Sequence, residues 1–369
     1  MKKIAVIGAG YLQLPLVMKV KEMGHEVHCF AWEEGAVSKE IADYFYPISI
    51  IDKELILAVC SQLKVDGIVS IASDAAVPTV CYVAEKMGLL GNSFADALIT
   101  TDKFLMRQCF IEHNVNSPKY SIAKEGLLYE DFQLPVIVKP TDRSGSRGVL
   151  KVERIEDLNN AIIRAQSESF SKQAIVEEYV AGDEVSVESI TWEGIHYILA
   201  ITDKTTTGKP YFVELAHHQP SMLSNTIQEK IKVETLKALT ALNINYGASH
   251  SEFKIDKNGD VFAIEVGARM GGDFIGSNLV QLSTGYDFVK AAIDICLGNF
   301  EEPMITNDLC SGVYFLSEES IHILQIIENS KDYSYIVESK IVDEVITSIQ
   351  SSADRSGYFI YQSNKKIIF

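Results

Sequence analysis

Two glutamates on neighbouring apolar strands are the clearest candidates for metal ligands in this sequence. Glu252 lies in the stretch 251–255 and Glu265 in the stretch 262–266, and the polar turn 256–260 between them predicts a tight hairpin. On paired strands both carboxylates can point to one interior face, where two like charges are unfavourable without a cation. A hard divalent ion, Mg2+ or Mn2+, is therefore expected there. The alternative is that one or both side chains face water.

Cationic side chains and a polar loop come earlier in the chain. Lys139 ends an apolar strand, and the loop 141–148 then leads into a second strand at 149–152, so the loop joins a hairpin. Glycines in such a loop allow backbone N–H groups to approach phosphate oxygens. Lys103 stands near the start of a helix predicted over 100–113. The loop residues considered for phosphate contact are Arg143, Ser144, Gly145, Ser146, Arg147 and Gly148.

An acidic run and a second small-residue turn complete the set of candidate residues. Segment 177–180 ends a strand predicted over 174–179, and Glu184 follows a Gly-Asp turn. A strand edge of this kind offers N–H and C=O groups to a planar base, and a nearby carboxylate can accept from sugar hydroxyls. A solvated turn is the alternative. Arg269 projects from the turn 267–272 directly after Glu265, where a planar cation suits a carboxylate or a phosphoryl group.

The N-terminal part of the chain alternates short strands with amphipathic helices. Strands predicted over 4–7, 27–31 and 67–72, with helices over 11–23 and 76–87, indicate a parallel sheet with right-handed crossovers.

The glycine turn after the first strand has two interpretations. Gly8 and Gly10 fit a dinucleotide-binding turn, but Gln13 stands where the third glycine of that motif is expected. Glu33 or Glu34 would then hold a ribose. The preferred interpretation is a turn that only joins strand to helix.

The composition narrows the class of protein. The 369 residues are 47% hydrophobic and 22% charged, and no apolar run reaches the roughly 18 residues of a membrane helix. The net charge of −17 disfavours nucleic acid and anionic membranes as partners. Six cysteines without a CxxC pair suggest neither a zinc site nor disulfides, and they predict a reducing, cytoplasmic location.

The order of these motifs resembles that of the ATP-grasp superfamily over roughly residues 1 to 300. The resemblance implies a fold of the α/β and α+β classes, with ATP between two α+β lobes. It predicts an N-terminal Rossmann-like, pre-ATP-grasp domain over 1–92 and an ATP-grasp domain over 93–300, with a lid subdomain at about 120–180. A small C-terminal α+β unit is expected over 301–369.

The resemblance also implies roles for individual residues. Lys103 and Lys139 would contact the phosphates of ATP, the loop 141–148 would close as a lid, and Glu184 would hold the ribose. Glu178 and Val180 would contact adenine through the backbone, and Glu177 and Tyr179 belong to the same cofactor-binding set. Glu252 and Glu265 would bind Mg2+. One departure is that Gly267 stands where many members of the superfamily carry asparagine, which leaves a second metal short of a ligand.

The activity implied by the resemblance is ATP-dependent joining of a carboxylate to an amine through an acyl phosphate. Residues expected to act in catalysis are Arg269, Lys139 and Arg147. Residues expected to contact small-molecule carboxylate and amine substrates are Glu214, His217, Arg269, Gly271 and Gly272. The glycine at 267 resembles members that join amino acids, so an amino-acid or dipeptide-type ligase is the sharper hypothesis.

Three other functions stay open at this point. A carboxylase or carbamoyl-phosphate-type enzyme would activate bicarbonate with the same fold. An NAD-dependent oxidoreductase would use the N-terminal glycine turn, and a regulatory protein would bind ATP without turnover. A homodimer is the default expectation for the assembly.

Overall fold

The N-terminal unit is a parallel four-stranded sheet covered by helices. The computed structural model describes residues 1–123, 132–209 and 211–369, so the part of the predicted lid subdomain at 124–131 lies outside the described residues. The strands run in the order β3-β2-β1-β4, all parallel, as the alternating pattern predicts. These first elements are β1 (Lys3–Ile7), α1 (Leu14–Glu22), β2 (Glu26–Phe30), β3 (Tyr44–Tyr46), α2 (Lys53–Leu63), β4 (Gly67–Val69) and α3 (Val77–Met87).

The glycine turn after β1 is filled by a side chain of the protein itself. Gln13, which is buried, accepts a hydrogen bond from the Gly10 N–H through Oε1 and donates from Nε2 to the Ile71 carbonyl oxygen. The side chain thus occupies the turn that would receive a pyrophosphate in a dinucleotide site. This arrangement supports the interpretation of the turn as a strand-to-helix connection.

Two helices connect the N-terminal unit to the rest of the chain. They are α4 (Phe94–Thr101) and α5 (Lys103–Glu112). The helix predicted over 100–113 is therefore α5, which begins three residues later because Asp102 caps it by accepting from the backbone N–H groups of Phe104 and Leu105. The cap fixes Lys103 as the first residue of the helix.

A small antiparallel sheet follows, in the order β5-β8-β6-β7. The predicted hairpin is confirmed, since β6 and β7 pair antiparallel across the loop 141–148. The apolar face of α6 packs on this sheet, with Leu158 and Ala165 against Val136 and Val138. The elements are β5 (Tyr120–Ile122), β6 (Val136–Pro140), β7 (Leu150–Val152), α6 (Ile155–Glu168) and β8 (Ala174–Glu178).

The largest sheet has eight antiparallel strands in the order β13-β12-β9-β10-β11-β14-β16-β15. The predicted hairpin between 251–255 and 261–266 is confirmed as β12 and β13. Strands from 310–363 extend the same sheet through the pairing of β14 with β11, so the C-terminal segment shares a sheet with the preceding part of the chain. The strands are β9 (Asp183–Trp192), β10 (Ile195–Thr206), β11 (Glu214–Gln219), β12 (Tyr246–Ile255), β13 (Val261–Gly267), β14 (Cys310–Leu316), β15 (Ile336–Ile341) and β16 (Gly357–Ser363).

The remaining helices pack on the faces and ends of these sheets. Phe288 and Ile293 of α9 belong to the core of the N-terminal unit. The segment between β13 and β14 of the large sheet therefore packs on the first sheet. In the described ranges, no helix is both long and apolar enough to cross a bilayer. The remaining α-helices are α7 (Asn225–Ala241), α8 (Val280–Thr284), α9 (Phe288–Cys296) and α10 (Leu324–Glu328), and the short helical turns are Asp74–Ala76, Ile275–Leu279, Glu318–Ile323, Ser330–Asp332 and Ser352–Asp354.

Together these elements confirm the predicted α/β and α+β fold class. The boundaries at 92 and 300 stay predictions, because α9 and the C-terminal strands both cross them in space.

Candidate functional site

A cleft is lined by residues of both antiparallel sheets. Most of the predicted site residues meet there, although they come from segments up to 166 positions apart, from Lys103 to Arg269. Those that line the cleft are Lys103, Lys139, Ser144, Gly145, Ser146, Glu177, Glu178, Tyr179, Val180, Glu184, Glu214, Glu252, Glu265 and Arg269. The predicted residues Arg147, Gly148, His217, Gly271 and Gly272 do not line this cleft.

Lys139 is held in the cleft by a buried carboxylate. Its Nζ lies 2.6 Å from Glu177 Oε2, and Arg107 Nε lies 2.8 Å from Glu177 Oε1. The Arg107 N–H does not point at the carboxylate, so this second contact is an ion pair rather than a hydrogen bond. Burial lowers the pKa of Lys139 against the opposing charge of Glu177, with Arg107 and Lys103 adding to the lowering. Glu177 therefore orients Lys139, a role that its predicted place in the cofactor-binding set did not include.

Lys103 crosses from α5 to the large sheet. Its Nζ donates to Glu265 Oε1 at 2.9 Å and to the Arg143 carbonyl oxygen at 2.6 Å. Burial favours the neutral amine, but the adjacent Glu265 carboxylate outweighs it and raises the pKa of Lys103. This lysine thus links the predicted metal ligand to the glycine loop.

The two predicted metal ligands face each other across the β12–β13 hairpin. Glu252 and Glu265 are paired in register, as the sequence pattern predicts. One oxygen of each takes a lysine, since Lys204 Nζ lies 2.8 Å from Glu252 Oε1 and Lys103 binds Glu265 Oε1. Within the described ranges the Oε2 atom of each accepts no hydrogen bond. Two free carboxylate oxygens on facing strands fit Mg2+, which usually takes one or two carboxylates and completes its shell with phosphates and water.

A cluster of three or more His, Cys, Asp or Glu that could hold a metal by itself is absent from the described residues. An ion held by Glu252 and Glu265 would therefore depend on ligands from outside the protein. Nucleotide phosphates and water are the usual ones.

Lys204 is a buried cation that sequence reasoning missed. Its Nζ lies 2.9 Å from Glu184 Oε1, 3.3 Å from Glu214 Oε1 and 2.8 Å from Glu252 Oε1. Burial works against the charge, but the three carboxylates raise the pKa of Lys204 well above its usual value. Lys254 holds the other oxygen of Glu184 at 2.9 Å. The signal in the sequence was weak, because a lysine near a strand end is usually solvated.

His250 is a second missed residue of the cleft. Its Nδ1 contacts Glu188, which is fully buried, and its Nε2 lies 3.3 Å from Glu252 Oε1. Although burial favours the neutral ring, the Glu188 and Glu252 carboxylates raise the pKa of His250 to about 9. Glu188 Oε2 also accepts from the Gly271 N–H at 2.9 Å. Gly271 therefore binds Glu188, which contacts His250, and does not itself line the cleft.

Arg269 reaches the cleft in a fixed orientation. Its Nε and one terminal nitrogen each donate to the Asp74 carboxylate at 2.8 Å. Asp74 follows strand β4 in the N-terminal unit, so this pair joins residues 195 positions apart. Burial works against charge at both groups, but their mutual attraction prevails: it raises the pKa of Arg269 and lowers that of Asp74. A position after the carboxyl end of a parallel strand was the one sequence signal for Asp74.

Three residues of the loop after Lys139 have positive φ values. Gly145, Ser146 and Gly148 have φ values of +67°, +57° and +73°, a region that favours glycine. Both arginines of this loop donate to carbonyl oxygens: Arg143 Nε to that of Glu168 at 2.6 Å, and Arg147 Nε to that of Ser144 at 3.2 Å. Arg143 also lines the cleft. Arg147 does not line the cleft, and its catalytic role stays a prediction.

The segment 177–180, which is predicted to meet adenine, lies at the end of strand β8. The Glu178 N–H donates to the Lys119 carbonyl oxygen, whereas the Val180 N–H makes no backbone hydrogen bond within the described residues. Lys151 Nζ lies 3.8 Å from the centroid of the Tyr179 ring. The free N–H at Val180 is available to an acceptor on a planar base.

Glu214 marks the edge of a second charged cluster beyond the cleft. Arg355, from the C-terminal segment, lies 3.3 Å from Glu214 Oε2 and 2.8 Å from Asp273 Oδ2. His217 is buried, and its Nε2 is 3.6 Å from Asp273 Oδ2, beyond hydrogen-bond distance. The predicted substrate residue His217 does not line the cleft, whereas Glu214 lines it and also contacts Arg355. Nothing in the sequence pointed to Arg355.

Comparisons with known proteins agree with this geometry. The family described as the ATP-grasp domain matches residues 132–277. Alanine–anticapsin ligase of Bacillus subtilis is 28% identical over 302 residues, which is 70% of this chain and 62% of that protein. The large chain of carbamoyl phosphate synthase from Caldanaerobacter subterraneus is 27% identical over 323 residues, 80% of this chain and 29% of that protein. The chain thus spans less than two thirds of the length of these two relatives.

Solved structures share the fold over nearly the whole chain. An L-amino acid ligase from Bacillus licheniformis matches with a TM-score of 0.83 and 20% identity, covering 99% of this chain and 94% of that one. A phosphoribosylglycinamide synthetase from Anaerococcus prevotii matches with a TM-score of 0.78 and 21% identity, with coverage of 99% and 94%. At this level of identity the likeness concerns the fold alone.

Proposed function

Because this chain belongs to the ATP-grasp superfamily, we propose that its cleft binds ATP with Mg2+ and activates a substrate carboxylate as an acyl phosphate for transfer to an amine. The observation that carries the proposal is the facing pair Glu252 and Glu265, each with one free oxygen, in a cleft that also contains Lys103 and Lys139. Paired acids and lysines of this kind match a polyphosphate with its metal ion.

Each part of the nucleotide has a counterpart in the cleft. Lys103, Lys139 and the N–H groups of the loop 141–148 would contact the phosphates, and the free N–H of Val180 would meet adenine. Glu184 would accept from the ribose, with Lys204 and Lys254 holding its carboxylate in place. Mg2+, or Mn2+, held by Glu252 and Glu265, would neutralise charge on the phosphates when bound.

The chemistry needs two displacements and no nucleophile from the protein. A carboxylate oxygen of the substrate bonds to the γ-phosphorus while the bond to the β-phosphate oxygen breaks, and its electron pair leaves with ADP. The amine then bonds to the carbonyl carbon, and the C–O bond to phosphate breaks. The amine loses a proton and inorganic phosphate departs.

The protein supplies position, charge and exclusion of water. Arg269 presents N–H donors to the oxyanion that develops on the carbonyl, and Lys139 to the transferring phosphoryl group. An acyl phosphate hydrolyses in contact with water, so closure of the loop 141–148 over the site would protect it.

Amino acids are the substrate class that we propose for this site. The relative named alanine–anticapsin ligase acts on an amino acid by its name. Glu214 lies at the cleft on the side of Arg355, His217 and Asp273 and offers a carboxylate to an ammonium group. Arg269 offers the complementary cation to a carboxylate.

A screen of ADP release with Mg2+ tests the proposal. Amino acids, small carboxylic acids and bicarbonate are supplied singly and in pairs, and hydroxylamine is added to trap acyl phosphates as hydroxamates. We expect release of ADP that depends on a carboxylate and yields a hydroxamate, with amino acids as the active class. Release with bicarbonate alone would indicate a carboxylase. ATP binding without ADP release under any condition would contradict the proposal and indicate a regulatory protein.

A further inference from the structure

A side chain at position 267 would collide with Asp74. A Cβ built on Gly267 would lie 2.8 Å from Asp74 Oδ1 and 3.3 Å from Arg269 Nε, closer than real Cβ atoms normally approach. The backbone of Gly267 is not in the left-handed region, so its conformation does not require glycine. The Asp74 carboxylate is the group nearest to the place that a side chain would take at this position.

The space at Gly267 is filled by a carboxylate from a different part of the chain. Asp74 reaches it from the turn after β4, and its two oxygens take two nitrogens of Arg269 at 2.8 Å each. The neighbouring backbone is fixed as well, since the Ala72 N–H donates to the Met270 carbonyl oxygen at 3.1 Å. The N-terminal unit is thus attached to the Arg269 segment by both backbone and side chain.

We infer that Asp74 is the positioning residue for Arg269 and that Gly267 is small in order to admit it. Residues 74 and 267 then form one functional pair: the missing side chain at 267 makes room for the carboxylate that orients the guanidinium. The contact stands on geometry alone. Its importance for the reaction rests on the proposed function.

The pairing also sets which N–H groups of Arg269 remain for a ligand. A guanidinium has five N–H donors. Asp74 takes one from Nε and one from a terminal nitrogen, and the Met270 carbonyl oxygen takes one from the other terminal nitrogen at 3.3 Å, which leaves two without a partner among the residues that the structure describes. One free N–H remains on each terminal nitrogen, in a side chain that cannot rotate without leaving Asp74. Such fixed donors stabilise developing charge without reorganisation.

A double-mutant cycle over Asp74→Ala and Gly267→Ala tests the inference. Both changes remove the same contact, so each should lower the kcat of ADP release about tenfold while the KM for ATP changes less than about twofold. The double variant should be no slower than either single variant. Asp157→Ala is the matched control, because Asp157 makes the same two-pronged contact with Arg154 on the surface at 2.9 and 3.0 Å. It should keep the wild-type rate. Losses that multiply in the double variant would overturn the inference.

A second measurement does not depend on turnover. In wild type the Arg269 Nε–H, bonded to Asp74, should exchange slowly with solvent by NMR, and this protection should fall at least about tenfold in Gly267→Ala. Unfolding in urea gives the third reading: Gly267→Ala should destabilise the wild type but cost nothing further in an Asp74→Ala background. Unchanged protection in Gly267→Ala, or an equal cost in both backgrounds, would overturn the pairing. If wild type releases no ADP with any carboxylate, the proposed function fails, and these two readings still decide the inference.

Discussion

Lys139 Nζ lies 2.6 Å from Glu177 Oε2, and both side chains are almost fully buried. The other oxygen of the carboxylate lies 2.8 Å from Arg107 Nε. The Glu177 carboxylate stabilises the charged form of Lys139. If Lys139 left the cleft, the carboxylate would be a buried anion without this partner. The site is therefore rigid on the side where phosphate is expected, before any ligand binds.

Lys139→Met should abolish turnover. The substitution keeps the length of the side chain but removes the cation that the proposed function assigns to the phosphoryl group, so kcat should fall at least about 100-fold. Steady-state ADP release measures it. Lys237→Met, at a surface lysine paired with Glu234, is the control and should match wild type. A near-normal rate in Lys139→Met would mean that Lys139 is not part of the catalytic machinery.

Arg107→Met should lower the free energy of unfolding, because it breaks a buried ion pair. Glu177 would lose one of its two cations while still buried, and breaking a buried pair in this way costs about 3 kcal/mol or more. Urea unfolding compares it with Arg154→Met, which breaks an exposed pair worth less than about 1 kcal/mol. Equal losses in the two variants would show that the Arg107 contact contributes little.

Glu265→Gln should weaken binding of the divalent metal ion in the cleft. Glutamine keeps one oxygen but not the negative charge that holds a hard cation. Binding of Mn2+ in the presence of ADP, followed by electron paramagnetic resonance, should weaken at least about tenfold for Glu265→Gln and Glu252→Gln. Glu229→Gln, at an exposed glutamate, should bind as wild type does. Unaltered Mn2+ binding in both cleft variants would place the metal elsewhere.

In Arg355→Met, the free energy of unfolding should decrease less on acidification than it does in wild type. Burial works against charge on Asp273, yet Arg355 and His217 lower its pKa below the usual 3.8. A lowered carboxyl pKa adds stability that is present above the unfolded value and is lost as the pH falls through the folded value. The variant should therefore be less stable by about 3 kcal/mol near neutrality. The difference from wild type should shrink as the pH falls below about 3.8.

Unfolding free energies measured between neutral pH and acid test this dependence. Arg154→Met is again the control, since Asp157 is exposed and its pair should make little difference at any pH. A deficit in Arg355→Met that stays constant across the range would show that it does not come from the charge of Asp273.

The motifs of the cleft could be predicted from the sequence because each is local. Glu252 and Glu265 are joined by a hairpin turn, and Lys139 precedes its own glycine loop. Asp102 caps the helix that begins at Lys103. In each case the turn or cap chemistry fixes where the side chain stands.

The partners of these residues could not be predicted, because they come from distant segments. Asp74 binds Arg269 although the two residues are 195 positions apart, and Lys204 contacts three glutamates on other strands. Arg355 belongs to a C-terminal segment without motif residues. A charge on an apolar strand predicts that a partner exists, but only the packing of the sheets decides which residue that partner is. The same limit explains why the contact of Glu177 with Lys139 and that of Arg147 with the Ser144 carbonyl oxygen were not predicted.

Transfer of an oxygen atom tests the central claim most directly. The active carboxylic acid from the ADP-release screen is labelled with ¹⁸O in both carboxylate oxygens and is incubated with the protein, ATP, Mg2+ and an amine. If the carboxylate attacks the γ-phosphorus, the inorganic phosphate released must carry one ¹⁸O atom, because the C–O bond breaks in the second displacement. Phosphate without the label, at a normal rate of ADP release, would mean that ATP is hydrolysed by water and would contradict the account.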